Sequence, residues 1–184
     1  MGKSAVLAMF REEGAFTLEA DDIVRGLLAQ RDVLDKMRAL LGDKVFDGKG
    51  NLLKEKVSDI IFSDPQIRRR LEDMLHPLVF EEVQRLTKGI KGIAVVEAPV
   101  VFERGYEGRF DKTIVVYTDE ETAIRRLEAA GIGRQEALRR LGSQMPAEEK
   151  IRRADFAVSN NGTLKETRRQ VKDIYRELIR HEAG

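Results

Sequence analysis

Cysteine is absent from the 184 residues, which excludes disulfides and thiolate-held metal centres and is compatible with a cytosolic setting. Two histidines, His76 and His181, argue against a His-built zinc site. A net charge of +1 gives no bulk argument for nucleic-acid or membrane binding, so neither is expected as a partner. No apolar run approaches the roughly 20 residues of a membrane span. The first residues lack the basic and apolar regions of a signal peptide. There is no repeat and no low-complexity linker. What remains is a chain 42% hydrophobic and 35% charged, long enough for one domain with a real core and many solvated helix faces.

Its organisation reads as alternating helices and strands. A short helix over 3–13, apolar at Val6, Leu7, Met9 and Phe10, stops near Gly14. A strand at 15–18 ends in Glu19-Ala20-Asp21-Asp22, where Asp21 or Asp22 suits the N-cap of a helix over 22–42. A turn cluster at 47–51 and helices over 53–62 and 64–88 follow, the second started by Ser63-Asp64-Pro65. His76-Pro77 lies inside that last pattern and predicts a kink or a helix boundary there. Ile93-Ala94-Val95-Val96 and Thr113-Ile114-Val115-Val116-Tyr117 are near-continuous apolar runs of the kind parallel strands covered on both faces show. Helices over 120–130 and 134–142 flank the Gly-Ile-Gly break at 131–133. A strand at 156–158 and a helix over 164–181 complete the chain. The apolar face of that helix, at Val171, Ile174, Leu178 and Ile179, suits its own core. This alternation predicts an α/β fold with a mostly parallel sheet and ligands at the C-terminal strand ends, where Glu19, Asp21, Glu97 and Asn160 gather. The helical stretch between the first two strands suits an inserted substrate lobe.

Several short patterns carry chemistry, and each has a plain structural alternative. Gly2-Lys3-Ser4 is the second half of the phosphate-loop pattern G-x-x-x-x-G-K-[ST]. There Gly lets backbone N–H groups approach phosphates, Lys reaches the β- and γ-phosphates, and the hydroxyl meets Mg²⁺. Alone, the same letters fit an ordinary N-terminus. A carboxylate at Asp21 could accept the proton of an attacking hydroxyl, or simply cap a helix. Glu97, ending a hydrophobic strand, could orient Mg²⁺ or its waters, or be a solvated strand end. Among Arg125, Arg126, Arg134, Arg139, Arg140, Lys150, Arg152 and Arg153, one or two could clamp phosphoryl charge. The rest, Arg139 and Arg140 among them, read as solvated helix faces.

Taken in order, the patterns fall together. Gly2-Lys3-Ser4 is followed by an acidic motif about eighteen residues after the lysine, then by Leu71-x-x-x-x-His76-Pro77 and Val95-Val96-Glu97-Ala98-Pro99-Val100-Val101-Phe102-Glu103. Asp111, Gln144-Met145-Pro146, Lys150, Ala154-Asp155 and Asn160-Asn161-Gly162 come after. This series resembles the dephospho-CoA kinase family from end to end, with its D-A-D, H-P, D-x-P-L-L-F-E, Q-x-P and A-D-x-x-I-x-N-x-G segments. The resemblance implies transfer of the ATP γ-phosphoryl group to the ribose 3′-hydroxyl of dephospho-CoA, in the cytoplasm, with Mg²⁺ as cofactor and ATP and dephospho-CoA as ligands. It implies a P-loop kinase fold: a parallel sheet flanked by helices as core (1–21, 91–119 and 151–184), an inserted helical CoA lobe (22–90) and a helical lid (120–150).

By the same resemblance, Lys3, Asp21 and Arg126 are catalytic, and Gly2, Lys3, Ser4, Asn160 and Gly162 hold ATP. Glu19, Asp21, His76 and Pro99 line the acceptor site. Ser4 and Glu97 serve the metal, the latter through water. A non-catalytic family relic that binds nucleotide or dephospho-CoA is the alternative from another class. A different small-molecule P-loop kinase is a third, against which His-Pro and Gln-x-Pro argue.

Four departures from the family pattern stand out. Glu19 and Glu97 replace aspartates, each moving its carboxylate by about one bond length. Ala130 falls near the place of a lid arginine, so that Arg126 or Arg134 takes that role, and the helical lobe is a few residues short after Leu28. The family has a strand and T-G-G-x-G-x ahead of GKS. Their absence here leads to the expectation of a natural N-terminal segment outside this sequence, since a missing central strand would leave inner strands with unpaired backbone groups.

Overall fold

In a computed structural model the described residues are 2–142 and 144–182. They form two compact units, one of residues 1–17 and 90–184 and the other of residues 18–89.

The first unit is an α/β layer. Helix α1 (Lys3–Glu12) is followed by β1 (Phe16–Glu19), whose first two residues belong to this unit. Strands β2 (Ala94–Glu97), β3 (Ile114–Tyr117) and β4 (Phe156–Ser159) follow, together with helices α6 (Glu120–Ala129), α7 (Arg134–Gly142), α8 (Ala147–Arg153) and α9 (Leu164–Glu182). Among the described residues β1 pairs with β2, where the Phe16 N–H donates to the Ile93 carbonyl at 2.9 Å, and β3 pairs with β4. The β3–β4 ladder is parallel, with Ile114 opposite Phe156 and Tyr117 opposite Ser159. The core lies where the apolar stripe of α1 meets β4 and α9. Val6, Met9, Phe10, Val158, Val171, Ile174 and Leu178 are all buried there, each worth about 1.5–3 kcal/mol against exposure. The face expected of the C-terminal helix is this one, although Ile179 stays exposed. The expectation of strands covered on both faces is only partly met: of the residues in β2–β4, Val115 and Val158 alone are buried.

The second unit is helical apart from the end of β1. Where one helix is expected over 22–42 there are two, α2 (Ala20–Leu27) and α3 (Arg31–Leu41). The apolar register explains the break. Ile23 and Leu27 share one face, and so do Val33, Met37 and Leu41. The six-residue step from Leu27 to Val33 would rotate the stripe off its face by about 120° in a continuous helix. An extended Gln30 restarts the register. Asp21 and Asp22 lie inside the first turn of α2 rather than capping it, favourable for the helix dipole. Helix α4 (Lys54–Ser63) precedes α5 (Pro65–Thr87), which is started by Asp64 accepting from the N–H groups of Gln66 and Ile67, with Pro65 at the first position. Pro77 is no boundary: α5 runs through it. Packing holds the helix there, with Leu71 buried and Met74, Leu75, Leu78 and Val79 half-buried against two clusters built on α2 and α3.

One polar tie fixes the start of the parallel pair. The Asp155 carboxylate accepts from the Thr113 N–H (2.8 Å) and hydroxyl (2.9 Å) and pairs with Lys112 (3.1 Å). The Thr113 backbone bond, first among these, holds its carboxyl below the ordinary aspartate value of 3.8. A carboxyl lowered by folding stabilises the chain above its unfolded value and loses that stabilisation as pH falls through the folded value. Asp155→Asn is therefore expected to destabilise the protein by about 1 kcal/mol at pH 7, a charged hydrogen bond discounted for exposure. Urea unfolding at pH 7 and pH 3 should show the gap closing at the lower pH.

Candidate active site

Helix α1 starts at Lys3, and the first bond of its ladder runs from the Val6 N–H to the Gly2 carbonyl (3.1 Å). The N–H groups ahead of Val6 thus have no partner in the helix. Gly2 brings no side-chain cap and the first turn holds no acid, so no group of α1 itself offsets the positive end of its dipole. Gly2 has φ +91°, a left-handed conformation that favours glycine. Lys3 and Ser4 are exposed on the first turn.

At the end of β2, Glu97 comes to this turn. Its Oε1 lies 3.6 Å from the Lys3 Nζ, with the glutamate side chain 17% exposed. Its Oε2 is buried with no hydrogen-bond partner among the described residues. A buried carboxylate oxygen without a partner is a strong acceptor lacking a donor. Together with a hydroxyl such as that of Ser4, a carboxylate oxygen of this kind is the hard oxygen donor that suits Mg²⁺, which characteristically takes one or two protein oxygens plus substrate phosphates. Among the described residues no three Asp, Glu or His side chains form a metal-binding group.

Residues 160–162 are knitted into the same unit. The Asn160 N–H donates to the Tyr117 carbonyl (2.8 Å), and the Thr167 hydroxyl donates to the Asn160 Oδ1 (3.3 Å). Asn161 Oδ1 accepts from the Asp119 N–H (2.7 Å). Thr163 and Glu166 form a reciprocal cap at the start of α9, the Thr163 N–H donating to the Glu166 carboxylate at 2.7 Å and the Glu166 N–H to the Thr163 hydroxyl at 3.3 Å. The Thr163 N–H, the largest influence, holds the Glu166 carboxyl low. Gly162 lies against that carboxylate: a Cβ there would stand 2.2 Å from Glu166 Oε2.

Of the arginines considered for the lid, Arg134 is engaged with Glu121 (3.2 Å) and Glu128 (3.9 Å). Arg139 and Arg140 both pair with Glu136, as expected of a solvated face. Arg126 stands half-buried in the last turn of α6, and among the described residues no hydrogen bond or ion pair joins it to Lys3, Ser4 or Glu97. Pro99 is exposed beyond β2. Glu19, Asp21 and His76 belong to the other unit. Glu19 is the extended residue just before α2, Asp21 is exposed in its first turn, and His76 is half-buried in α5.

A link that the sequence patterns did not signal joins α8 to the segment after β2. Lys150 pairs with Glu103 at 2.5 Å, the two side chains 15% and 24% exposed, and Glu103 Oε2 is buried with no hydrogen-bond partner among the described residues. Arg153 bonds Glu107 through Nε at 2.6 Å and lies over the Phe102 ring at 5.9 Å. Both acids sit just past the Val-Val-Glu-Ala-Pro stretch, so two neighbouring acids matched by two basic residues one helical turn apart are the signal that could have suggested it.

A helix N-terminus with lysine and serine in its first turn, opposed by an acid at a strand end, defines an ATP-dependent kinase of the P-loop class. The comparisons agree. A family model described as dephospho-CoA kinase matches residues 1–166. A dephospho-CoA kinase of Aquifex aeolicus is 35% identical over 97% of this chain and 93% of its own length. One from Geobacillus kaustophilus is 34% identical over 96% and 90%. A crystal structure of a Thermus thermophilus protein superposes with a TM-score of 0.82 at 31% identity, covering 96% of this chain and 92% of that one. The chain belongs to the dephospho-CoA kinase family.

Removing one partner of the Lys150–Glu103 pair leaves a largely buried charge. Lys150→Met is expected to destabilise by about 2 kcal/mol, below the range for fully buried pairs because this one is partly exposed. Lys150→Met combined with Glu103→Leu should recover most of the loss in urea unfolding.

Proposed function

We propose that the chain transfers the ATP γ-phosphoryl group to the ribose 3′-hydroxyl of dephospho-CoA, giving CoA and ADP. The observation that carries this reading is the uncapped N-terminus of α1, with Lys3 facing Glu97, in a chain matched by the family model through residue 166. The free N–H groups of the first turn and the Lys3 ammonium bind the β- and γ-phosphates. Ser4, and Glu97 through water, would hold Mg²⁺, which when bound offsets phosphate charge. Asp21 accepts the proton of the 3′-hydroxyl as that oxygen bonds to the γ-phosphorus and the bond to the bridging oxygen breaks. Arg126, which pairs with no acid among the described residues whereas Arg134 pairs with Glu121, neutralises charge on the transferred group. Glu19, His76 and Pro99 line the acceptor site, and Asn160 and Gly162 serve ATP.

In this reading residues 22–90 are the acceptor lobe and 120–150 the lid, whose α8 end is held by Lys150 and Arg153. Transfer is then mainly positioning and charge neutralisation. No helix among the described residues is long and apolar enough to cross a membrane, and we place the reaction in the cytoplasm, where the ligands are soluble.

The test is formation of CoA from dephospho-CoA, ATP and Mg²⁺, followed by chromatography. Lys3→Ala should lower kcat by about 10²-fold or more, and Asp21→Asn by a factor on the order of 10² with little change in the KM for dephospho-CoA. Near-native turnover of Lys3→Ala would refute the loop assignment. Binding of dephospho-CoA without any turnover would point to the non-catalytic relic instead.

A further inference from the structure

We infer that Asn160 is a positioning residue for the phosphate-binding turn: its carboxamide, braced by Thr167, is the wall against which Gly2 is set. The inference rests on reading Gly2-Lys3-Ser4 as that turn and assigns Asn160 a different task from contact with the nucleotide base. Asn160 is 7% exposed and Thr167 1%. The Thr167 hydroxyl lies 3.3 Å from both the Asn160 Oδ1 and the Thr163 carbonyl and shares its one proton between them, so the Oδ1 end of the amide is turned toward Thr167 and the Nδ2 end the other way. That end faces Gly2: a Cβ on Gly2 would stand 2.0 Å from Nδ2, 3.0 Å from Cγ and 3.7 Å from Oδ1. The space a side chain would need is therefore occupied by the amide, and Gly2 already has a backbone conformation that other residues adopt only with strain.

The asparagine backbone is fixed as well. Its N–H continues the β3–β4 pairing onto Tyr117, and its neighbour Asn161 is tied to Asp119. A carboxamide anchored by strand, helix and hydroxyl, with its ends directed at Thr167 and Gly2, sets where the Gly2 backbone can lie. Gly2 supplies the carbonyl that starts the α1 ladder. Asn160 thereby fixes the direction of the N–H donors behind it and acts on ATP through the turn.

A base contact and a turn contact differ in what they do to a ligand that has no base. The intact chain and the variants Asn160→Ala and Thr167→Val are titrated calorimetrically with Mg-ATP and with inorganic tripolyphosphate, with melting temperatures recorded alongside. The expected result is loss of affinity for both ligands by the same factor, about five- to tenfold for Asn160→Ala and about two- to threefold for Thr167→Val, as loosening of one hydrogen-bonded constraint gives. Weakened ATP with unchanged tripolyphosphate overturns the proposal in favour of a base contact. A lowered melting temperature with native affinity for both overturns it in favour of a purely structural asparagine. Thr167→Val, buried and nearly isosteric, decides the matter if Asn160→Ala does not fold. A native chain that binds neither ligand removes the phosphate-turn reading itself, a failure distinct from the others.

Discussion

The seating of α1 on α9 and β4 is the constraint on which the candidate site depends. Phe10, Val6 and Met9 enter a core shared with Val158, Val171, Ile174 and Leu178. A helix held along one face has its N-terminus fixed in direction, and the N–H groups of the first turn, with the residues that carry them, are fixed with it. The two ends of the helix are set by different means. Gly14, with φ +107°, turns the chain out of α1 toward β1. Gly2 turns it in, against Asn160. The placing of Lys3 and Ser4 is therefore a consequence of apolar packing a turn or two further along the same helix.

The ion pairs around the site divide by what they can contribute. Most arginine–carboxylate contacts are exposed pairs within one helix, such as Arg25 with Asp22 or Arg139 with Glu136, and are worth little. Lys150 with Glu103 and Arg153 with Glu107 differ, because they join residues on separate elements, and the first of them is also largely withdrawn from water, whereas Arg153 is exposed. They attach α8 to the segment that follows Glu97. Loss of one member of the Lys150–Glu103 pair leaves a largely buried charge without its partner, which is why such a pair constrains geometry more than it adds net stability.

Much of this was legible in the sequence wherever a signal is local. The apolar stripe of α1, the stop at Gly14, the Asp64-Pro65 helix start and the apolar face at Val171, Ile174 and Leu178 all follow from spacing and capping rules, and the structure has them. The chemistry was legible only as an ordered series, since Gly-Lys-Ser, Glu97 and His76-Pro77 each have an ordinary structural reading. What escaped were features set by tertiary contact. The split between α2 and α3 is written in a shifted apolar register that helix propensity alone masks. The Arg153–Glu107 bond joins positions 46 residues apart, and the approach of Asn160 to Gly2 spans nearly the whole chain. Short-range patterns hold no information on such pairs. The strand runs Val95-Val96 and Val115-Val116 gave the element type correctly but overstated burial, because apolar composition does not say what packs on each face of a strand.

The Lys3–Glu97 contact fits a working site better than a structural one. At 3.6 Å it lies beyond hydrogen-bond distance, and Lys3 is 43% exposed. A pair of that kind contributes at most about 1 kcal/mol, so moving the ammonium away from Glu97 costs little. Lysine suits this role because it is a point charge on a flexible stem, free to follow phosphates without a planar partner. Glu97 is in the opposite position. Its second oxygen is buried without a donor, a state that is expensive to hold and that a hard cation or its water would relieve. At the end of β2, its carboxylate reaches the first turn of α1. A mobile cation beside a fixed, under-satisfied anion is the arrangement expected where the incoming ligand is itself a cation bound to a polyanion.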